Sequence, residues 1–473
     1  MKAAALLSGP ILFLLSLILG NELSNGLETV IGLAAWMITW WIFEPIPIPA
    51  TALLPIVILP FTGIFSLTEA CAPYASPIIF LFMGGFMIAL GLERHNLHLR
   101  LALNILRLTG SSGNGVITGF IISTALLSMW ISNTATAVMM LPIATSVVKL
   151  LSERDGFIKS ERTFALSLML CIAYAANIGG TMTLIGTPPN VVMAGYMSSI
   201  LQSSINFSEW LMLAIPIGII LLTVTQLLIT RVLFPNNIQS VEGSDQMIRE
   251  ELKKLGRISR EEKLVIAVFS ITVFGWIFKS QINDLIGQKL LTDHITAMIG
   301  GILMFALPVS IKHYRTLMDW DDTKRLPWGI LLLFGGGMAL AKSMEQVGII
   351  QLIGESVQSM TNINLLVLVI IVTAIVLMMT EVMSNVALVT IFIPVIIGVA
   401  QGLDVEPLLL VVPVTLASSC AFMMPISTPP NAIVYSSGYI KMKDMMRAGV
   451  ALNIISILIL SLACYYLIPI IFQ

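Results

Sequence analysis

Four short runs of polar and proline residues interrupt otherwise apolar sequence, and their residue types suit the binding of small ions. Ser132-Asn133-Thr134 and Ser384-Asn385-Val386 bring hydroxyl and amide oxygens into segments built from Leu, Ile, Val, Met and Ala. Gly186-Thr187-Pro188-Pro189-Asn190 and Ser427-Thr428-Pro429-Pro430-Asn431 each place two prolines in a row. A proline disfavours helical geometry in the residue before it and lacks an N–H donor, so each Thr-Pro-Pro breaks one helix, frees carbonyls and starts another. A helix start attracts an anion, and freed carbonyls with Ser, Thr and Asn oxygens suit a small hard cation. Such side chains also serve simply to join neighbouring membrane helices. A lone run would carry no more than that, whereas two matched pairs point to a binding site.

The elements that must hold these runs are membrane helices. Of 473 residues, 57% are hydrophobic and only 11% charged, against about 25% charged in an ordinary soluble domain. A water-soluble fold is excluded, and a net charge of -1 leaves no basic field for nucleic acid. Apolar stretches run at 4–20, 28–43, 50–66, 76–91, 209–235, 263–278, 291–309, 328–341 and 446–472, each suited to one crossing. Four more, 115–148, 164–203, 364–401 and 406–439, are too long for one straight span and carry the polar runs in their middles. Met1-Lys2 and the apolar run to Gly20 lack a small-x-small cleavage site and read as an uncleaved first span. Cys71, Cys171, Cys420 and Cys464 sit singly and read as small packing residues rather than a zinc or disulfide framework. The 27 methionines read as flexible apolar packing rather than copper handling.

The runs recur in order. Gly84-Gly85-Phe86-Met87 is echoed by Gly335-Gly336-Gly337-Met338, and each is followed by an amphipathic stretch, 92–107 and 342–360, suited to lying along the interface. Ser132-Asn133 ahead of Pro142 returns as Ser384-Asn385 ahead of Pro394, and Thr187-Pro188-Pro189-Asn190 as Thr428-Pro429-Pro430-Asn431. Two homologous halves follow, roughly 28–235 and 263–472, joined by the charged loop 236–262. With 115–148 and 364–401 as re-entrant hairpins and 164–203 and 406–439 as broken spans, eleven crossings place 22 basic residues on one side. That group includes Lys2, Arg94, Arg154 and Arg325, while only Lys279, Lys289 and Lys342 fall opposite. The basic side is cytoplasmic, so the N-terminus is expected inside, the C-terminus outside, and the halves inverted. The fold class expected is therefore an all-α polytopic membrane protein with inverted repeats.

These paired motifs, with Glu44-Pro45-Ile46-Pro47 and Pro327-Trp328, make the chain resemble the divalent anion/sodium symporters, which carry dicarboxylates, citrate or sulfate. The resemblance covers nearly the whole chain. It implies a homodimer in the plasma membrane, a fixed scaffold (28–107 and 263–360) and a transport domain (115–203 and 364–439) that moves as an elevator, with 1–27 and 446–472 as first and last helices. It places one carboxylate of the substrate on Ser132, Asn133 and Thr134 and the other on Ser384 and Asn385, beside Val386. Thr187-Pro188 and Thr428-Pro429 would line the remaining sides. One sodium would sit among Ser128, Ser132, Asn133 and the carbonyl of Gly186, and a second among Thr380, the carbonyl of Met383, Asn385 and Ser427. Val386, where the motif has Thr, removes one hydroxyl and bears on which substrate is carried.

No Lys, Arg or His lies within the four runs, so a dianion there must be balanced by helix starts and by co-bound cations. Sodium coupling is the expectation, with no other cofactor. The substrate expected is a divalent carboxylate of the succinate, malate or fumarate type. Citrate, sulfate or sodium-independent exchange of dicarboxylates remain alternatives. An enzyme is not expected, because HExxH, paired membrane aspartates and a Walker A sequence are absent. Glu381 is the main acid inside an apolar segment, and is read as tying down the second tip through backbone N–H bonds, with a proton or sodium role as the other reading.

Overall fold

The computed structural model of the chain describes residues 2–20, 26–152, 159–203, 205–236, 238–310, 312, 315–358 and 364–472. Arg154, counted above among the basic residues, and the end of the 342–360 stretch lie outside them. Helices make up nearly all of it, as the composition requires. The all-α class expected is borne out, with one short antiparallel hairpin, Pro308–Ser310 with Arg315–Thr316, added to it. Pro308 cannot continue the helix Asp293–Ala306, and Leu307 is already extended at ψ 119.

Among the described residues six helices are long and apolar enough to cross a membrane alone, and a bent pair, Arg260–Ile277 with Lys279–Ile286, adds a seventh. The stretch 50–66 does not form the single straight span expected. It is broken at Ala52–Leu53 into Ile48–Thr51 and Leu54–Phe61, with Pro49 and Pro55 in the first turns of the two pieces and Pro60 inside the second. Cys171, Cys420 and Cys464 are buried as packing residues, but Cys71 is exposed.

The two stretches expected as re-entrant hairpins each form a pair of helices joined at a polar turn. The first has arms Gly113–Ser128 and Asn133–Ser152, the second Leu365–Thr380 and Asn385–Gly402. Ser112 caps the first by accepting from Gly115 N, and Asn364 caps the second by accepting from Leu366 N and Val367 N. Both broken spans are also present, Lys159–Thr181 with Pro188–Ile200 and Leu408–Ser418 with Pro429–Tyr435. The residue before each proline pair adopts nearly the same extended geometry, Thr187 at φ -142, ψ 142 and Thr428 at φ -140, ψ 149, as the proline that follows demands.

The halves interlock. The second arm of the first hairpin packs on Pro429–Tyr435 of the other half, and the second arm of the second hairpin packs on Pro188–Ile200. At the centre, every residue from Phe164 to Thr181 is buried. Such full enclosure lets irregular backbone and a polar residue such as Asn177 sit at membrane depth.

Candidate functional site

One cavity of about 820 Å³ lies between the two hairpin tips. Ser132, Asn133, Thr134, Thr187, Pro188, Ser384, Asn385, Val386, Thr428 and Pro429, all ten of the residues expected to touch substrate, line it together. The charged residues on its walls are Lys2, Glu44, Glu93 and Arg325, with Arg325 Nη2 paired to Glu93 Oε2 at 3.0 Å. None of them belongs to the four polar runs.

Behind each tip the same small arrangement of oxygens recurs. Ser128 Oγ lies 2.7 Å from Asn133 Oδ1 and 2.7 Å from the carbonyl of Ala176. Thr380 Oγ1 lies 2.7 Å from Asn385 Oδ1 and 2.5 Å from the carbonyl of Ser418. A hydroxyl has one proton, so it donates to only one of two such acceptors, and each cluster holds more lone pairs than hydrogens. Oxygen-rich, proton-poor pockets of this kind suit a hard cation.

Glycine lets the first cluster close. A Cβ on Gly180 would stand 2.3 Å from Asn133 Oδ1, and one on Gly186 would stand 2.5 Å from the carbonyl oxygen of Gly180 and 3.0 Å from those of Ser128 and Met129. Several backbone carbonyls therefore converge beside Ser128 and Asn133. Ser132 Oγ accepts from Ala135 N at 3.2 Å, so its lone pairs are shared with the start of its own helix. In the second cluster Met383 lines the cavity, while the Ser427 hydroxyl lies 2.7 Å from Glu381 Oε2 and 2.9 Å from the carbonyl of Glu381. For a cation there, the Ser427 carbonyl is what remains, matching the role expected of Gly186 at the corresponding position.

Glu381 has a structural task. Its carboxylate accepts from the backbone N–H groups of Phe422, Met423 and Met424 and from Asn453 Nδ2, and Ser427 also lies on it. The acid ties the second tip to the unwound loop, which is the first of the two readings above. The asparagines that end the Thr-Pro-Pro-Asn runs are structural too. Asn190 Nδ2 donates to the carbonyls of Thr181 and Thr183, and Asn431 Nδ2 to those of Ala421 and Met424. Each satisfies carbonyls that its own break has freed.

Three groups that the structure brings to these clusters or to the cavity were missed from sequence. The carbonyls of Ala176 and Ser418 have no side-chain signature. Asn177 stands on the cavity wall within the buried part of Lys159–Thr181, where a scattered polar residue such as this or Ser167 ordinarily means helix packing.

The sodium:sulfate symporter transmembrane region family matches the chain over residues 8–472. The sodium-dependent dicarboxylate transporter SdcS of Staphylococcus saprophyticus is 39% identical over 475 residues, covering 99% of this chain and 92% of that one. SdcS of Staphylococcus aureus is 39% identical over 473 residues, covering 98% and 91%. Two solved structures share the fold. Neisseria gonorrhoeae MtrF, from work on a class of antimetabolite efflux pumps, aligns at TM-score 0.58 and 11% identity over 88% of this chain and 84% of that one. The Alcanivorax borkumensis YdaH transporter aligns at 0.58 and 12%, over 88% and 89%.

Proposed function

Because the chain belongs to the sodium:sulfate symporter family, which consists of membrane transporters and not enzymes, we propose that it imports a divalent carboxylate together with sodium. The substrate class is that of succinate, malate and fumarate. The observation that carries this reading is a cavity whose two polar tips hold no cationic side chain, backed by two proton-poor oxygen clusters. The dianion lies between the tips, with Ser132, Asn133 and Thr134 on one carboxylate and Ser384 and Asn385 on the other. The N-termini of Asn133–Ser152 and Asn385–Gly402 face it with unpaired N–H groups and the positive ends of their dipoles. The sodium ions, at Ser128, Asn133, Gly186 and Ala176 and at Thr380, Asn385, Ser418 and Ser427, supply the remaining positive charge.

In an eleven-crossing, two-hairpin topology that counts Ile48–Thr51 and Leu54–Phe61 together as one broken crossing, 22 of the 25 basic residues lie on one face, and that face is the cytoplasmic one. Lys2, Glu44, Glu93 and Arg325 then mark the cytoplasmic mouth of the cavity, and the state is open inward. The protein works as a homodimer in the plasma membrane.

Movement as an elevator is supported by unequal burial at repeat-related positions. Trp130, on the first tip, packs edge-on to Phe269 with ring centroids 4.8 Å apart and lies parallel to Trp276 at 6.4 Å. Ile185 beside it is 6% exposed. Their counterparts on the other half, Val382 and Ile426, are 73% and 83% exposed, although Ile185 borders the same cavity as they do. The counterpart of Trp276 is Trp41, since Trp276-Ile277-Phe278 repeats Trp41-Ile42-Phe43, and Trp41 is also on the cavity wall. One seal is closed and its twin open. In the other state Val382 and Ile426 close on Trp41 while Trp130 and Ile185 separate from the scaffold.

Radiolabelled succinate uptake into proteoliposomes tests the function. Uptake is expected to require an inward sodium gradient and to compete with malate and fumarate more than with sulfate. Uptake unchanged when choline replaces sodium, but stimulated by internal dicarboxylate, would show an exchanger instead.

A further inference from the structure

We infer that Asn177, a residue of the first half, is a positioning residue that fixes the Thr428 hydroxyl of the second half as a hydrogen-bond donor to the substrate. The inference rests on the transport reading above and deepens it.

The hydrogen-bond network leaves no freedom in the direction of each bond. The carbonyl oxygens of Ala421 and Met424 can only accept, so the Asn431 amide must present its Nδ2 to them, at 2.9 and 3.0 Å. That turns Asn431 Oδ1, a pure acceptor, toward Asn177 and obliges Asn177 to answer with Nδ2, at 3.4 Å. The same Asn177 Nδ2 lies 3.1 Å from Thr428 Oγ1. Thr428 Oγ1 also accepts from the backbone N–H of Asn431, at 3.4 Å. Both neighbours are donors with no lone pair to offer, so the Thr428 proton is directed away from them. Thr428 and Asn177 both line the cavity, and the group left to receive that proton is the anion.

Thr187 has no such brace. Its side chain makes no capping bond. On the helix Leu408–Ser418 of the opposite half, Ser418 Oγ donates to the carbonyl of Thr415 and the neighbouring Ser419 hydroxyl is buried without a partner. The two threonines are therefore unlike, although their sequence motifs match. Thr428 is pre-oriented as a donor, whereas Thr187 orients only when something binds.

A donor already aimed at an anion loses no rotor freedom on binding, and the gain falls on substrate affinity rather than on the rate of the moving step. Succinate uptake in proteoliposomes at saturating sodium therefore separates the two. Asn177→Ala is expected to raise the succinate KM about three- to tenfold, the worth of one neutral hydrogen bond, with kcat and the sodium half-saturation within twofold of wild type. Thr428→Val is expected to raise KM at least as much, and the double variant no further than Thr428→Val alone, because Asn177 acts through that hydroxyl. An unchanged KM in Asn177→Ala, or KM effects that multiply in the double variant, would overturn the inference. Where a variant is too impaired to transport, the rise in melting temperature on adding succinate with sodium reads the same affinity in detergent. A normal shift in Asn177→Ala would count against the proposal. Wild-type protein that shows no sodium-driven succinate uptake would overturn the functional reading itself, a result distinct from a silent Asn177 in a working transporter.

Discussion

Truncating Trp130 should shift the transporter between its two states by a calculable amount. In the state described, the indole packs against Phe269, Trp276 and Phe207. If the seal opens to water, roughly 100 Å² of apolar surface is exposed, worth about 2.5 kcal/mol at about 25 cal/mol per Å². The edge-on pair with Phe269 adds about 0.5–1.5 kcal/mol beyond its area. Alanine retains a minor part of this, so Trp130→Ala should disfavour the present state by about 2–3 kcal/mol, or roughly 30- to 150-fold in the equilibrium. The assay is thiol labelling with a membrane-impermeant maleimide in a Cys71→Ser background, since Cys71 is exposed. A cysteine replacing Ile185, which is buried in the closed seal, reports the minor state, and its labelling from the extracellular face should rise by about that factor. A cysteine replacing Val382, on the open side, should label no faster. If Trp130→Ala speeds labelling at both positions, the tip has merely loosened. If it changes neither by more than about threefold, the two-seal reasoning is wrong.

Gly180→Ala inserts a methyl group 2.3 Å from Asn133 Oδ1, and the amide can yield only by leaving Ser128. The sodium half-saturation for uptake should rise about tenfold or more while the melting temperature stays near wild type, and unchanged sodium dependence would remove Asn133 from the first cation site. Glu381→Gln replaces a carboxylate that accepts from three backbone N–H groups with a group having one acceptor oxygen, leaving at least one buried donor unpaired at about 1–3 kcal/mol. Scanning fluorimetry should find a lower melting temperature; full stability with a shifted pH profile of uptake would restore the proton-site reading.

The duplicated motifs were legible because a matched offset between polar runs survives in sequence. The paired proline breaks even reproduce their backbone angles at Thr187 and Thr428. Hydropathy marked 50–66 as apolar but gave no sign of its break at Ala52–Leu53, because it counts apolar residues without asking whether the prolines among them allow a straight helix. It also gave no sign of the short strands at 308–316, whose residues carry no distinctive pattern. The carbonyls of Ala176 and Ser418 were illegible for a deeper reason: a backbone oxygen becomes a ligand through where the helix ends, and every residue type has one. The direction of the Asn177 amide follows from a chain of four polar groups that meet only in three dimensions.

Duplication alone would give two equivalent tips, and the differences at equivalent positions assign them different work. At the first position of the tip, Met129 stands opposite Glu381, and at the second, Trp130 stands opposite Val382. Glu381 binds its tip to the loop 422–424 of its own half and to Asn453 on the last helix, Met442–Ile471. Trp130 instead holds its tip to Phe269 and Trp276 of the helix Arg260–Ile277. One tip is thus fastened by hydrogen bonds within its own half, and the other by ring contacts to Arg260–Ile277. A flap that opened at the second tip would have to strip a carboxylate of several buried donors, whereas sliding the first tip off the aromatic face breaks no hydrogen bond. That difference in cost favours motion of both tips together as one body.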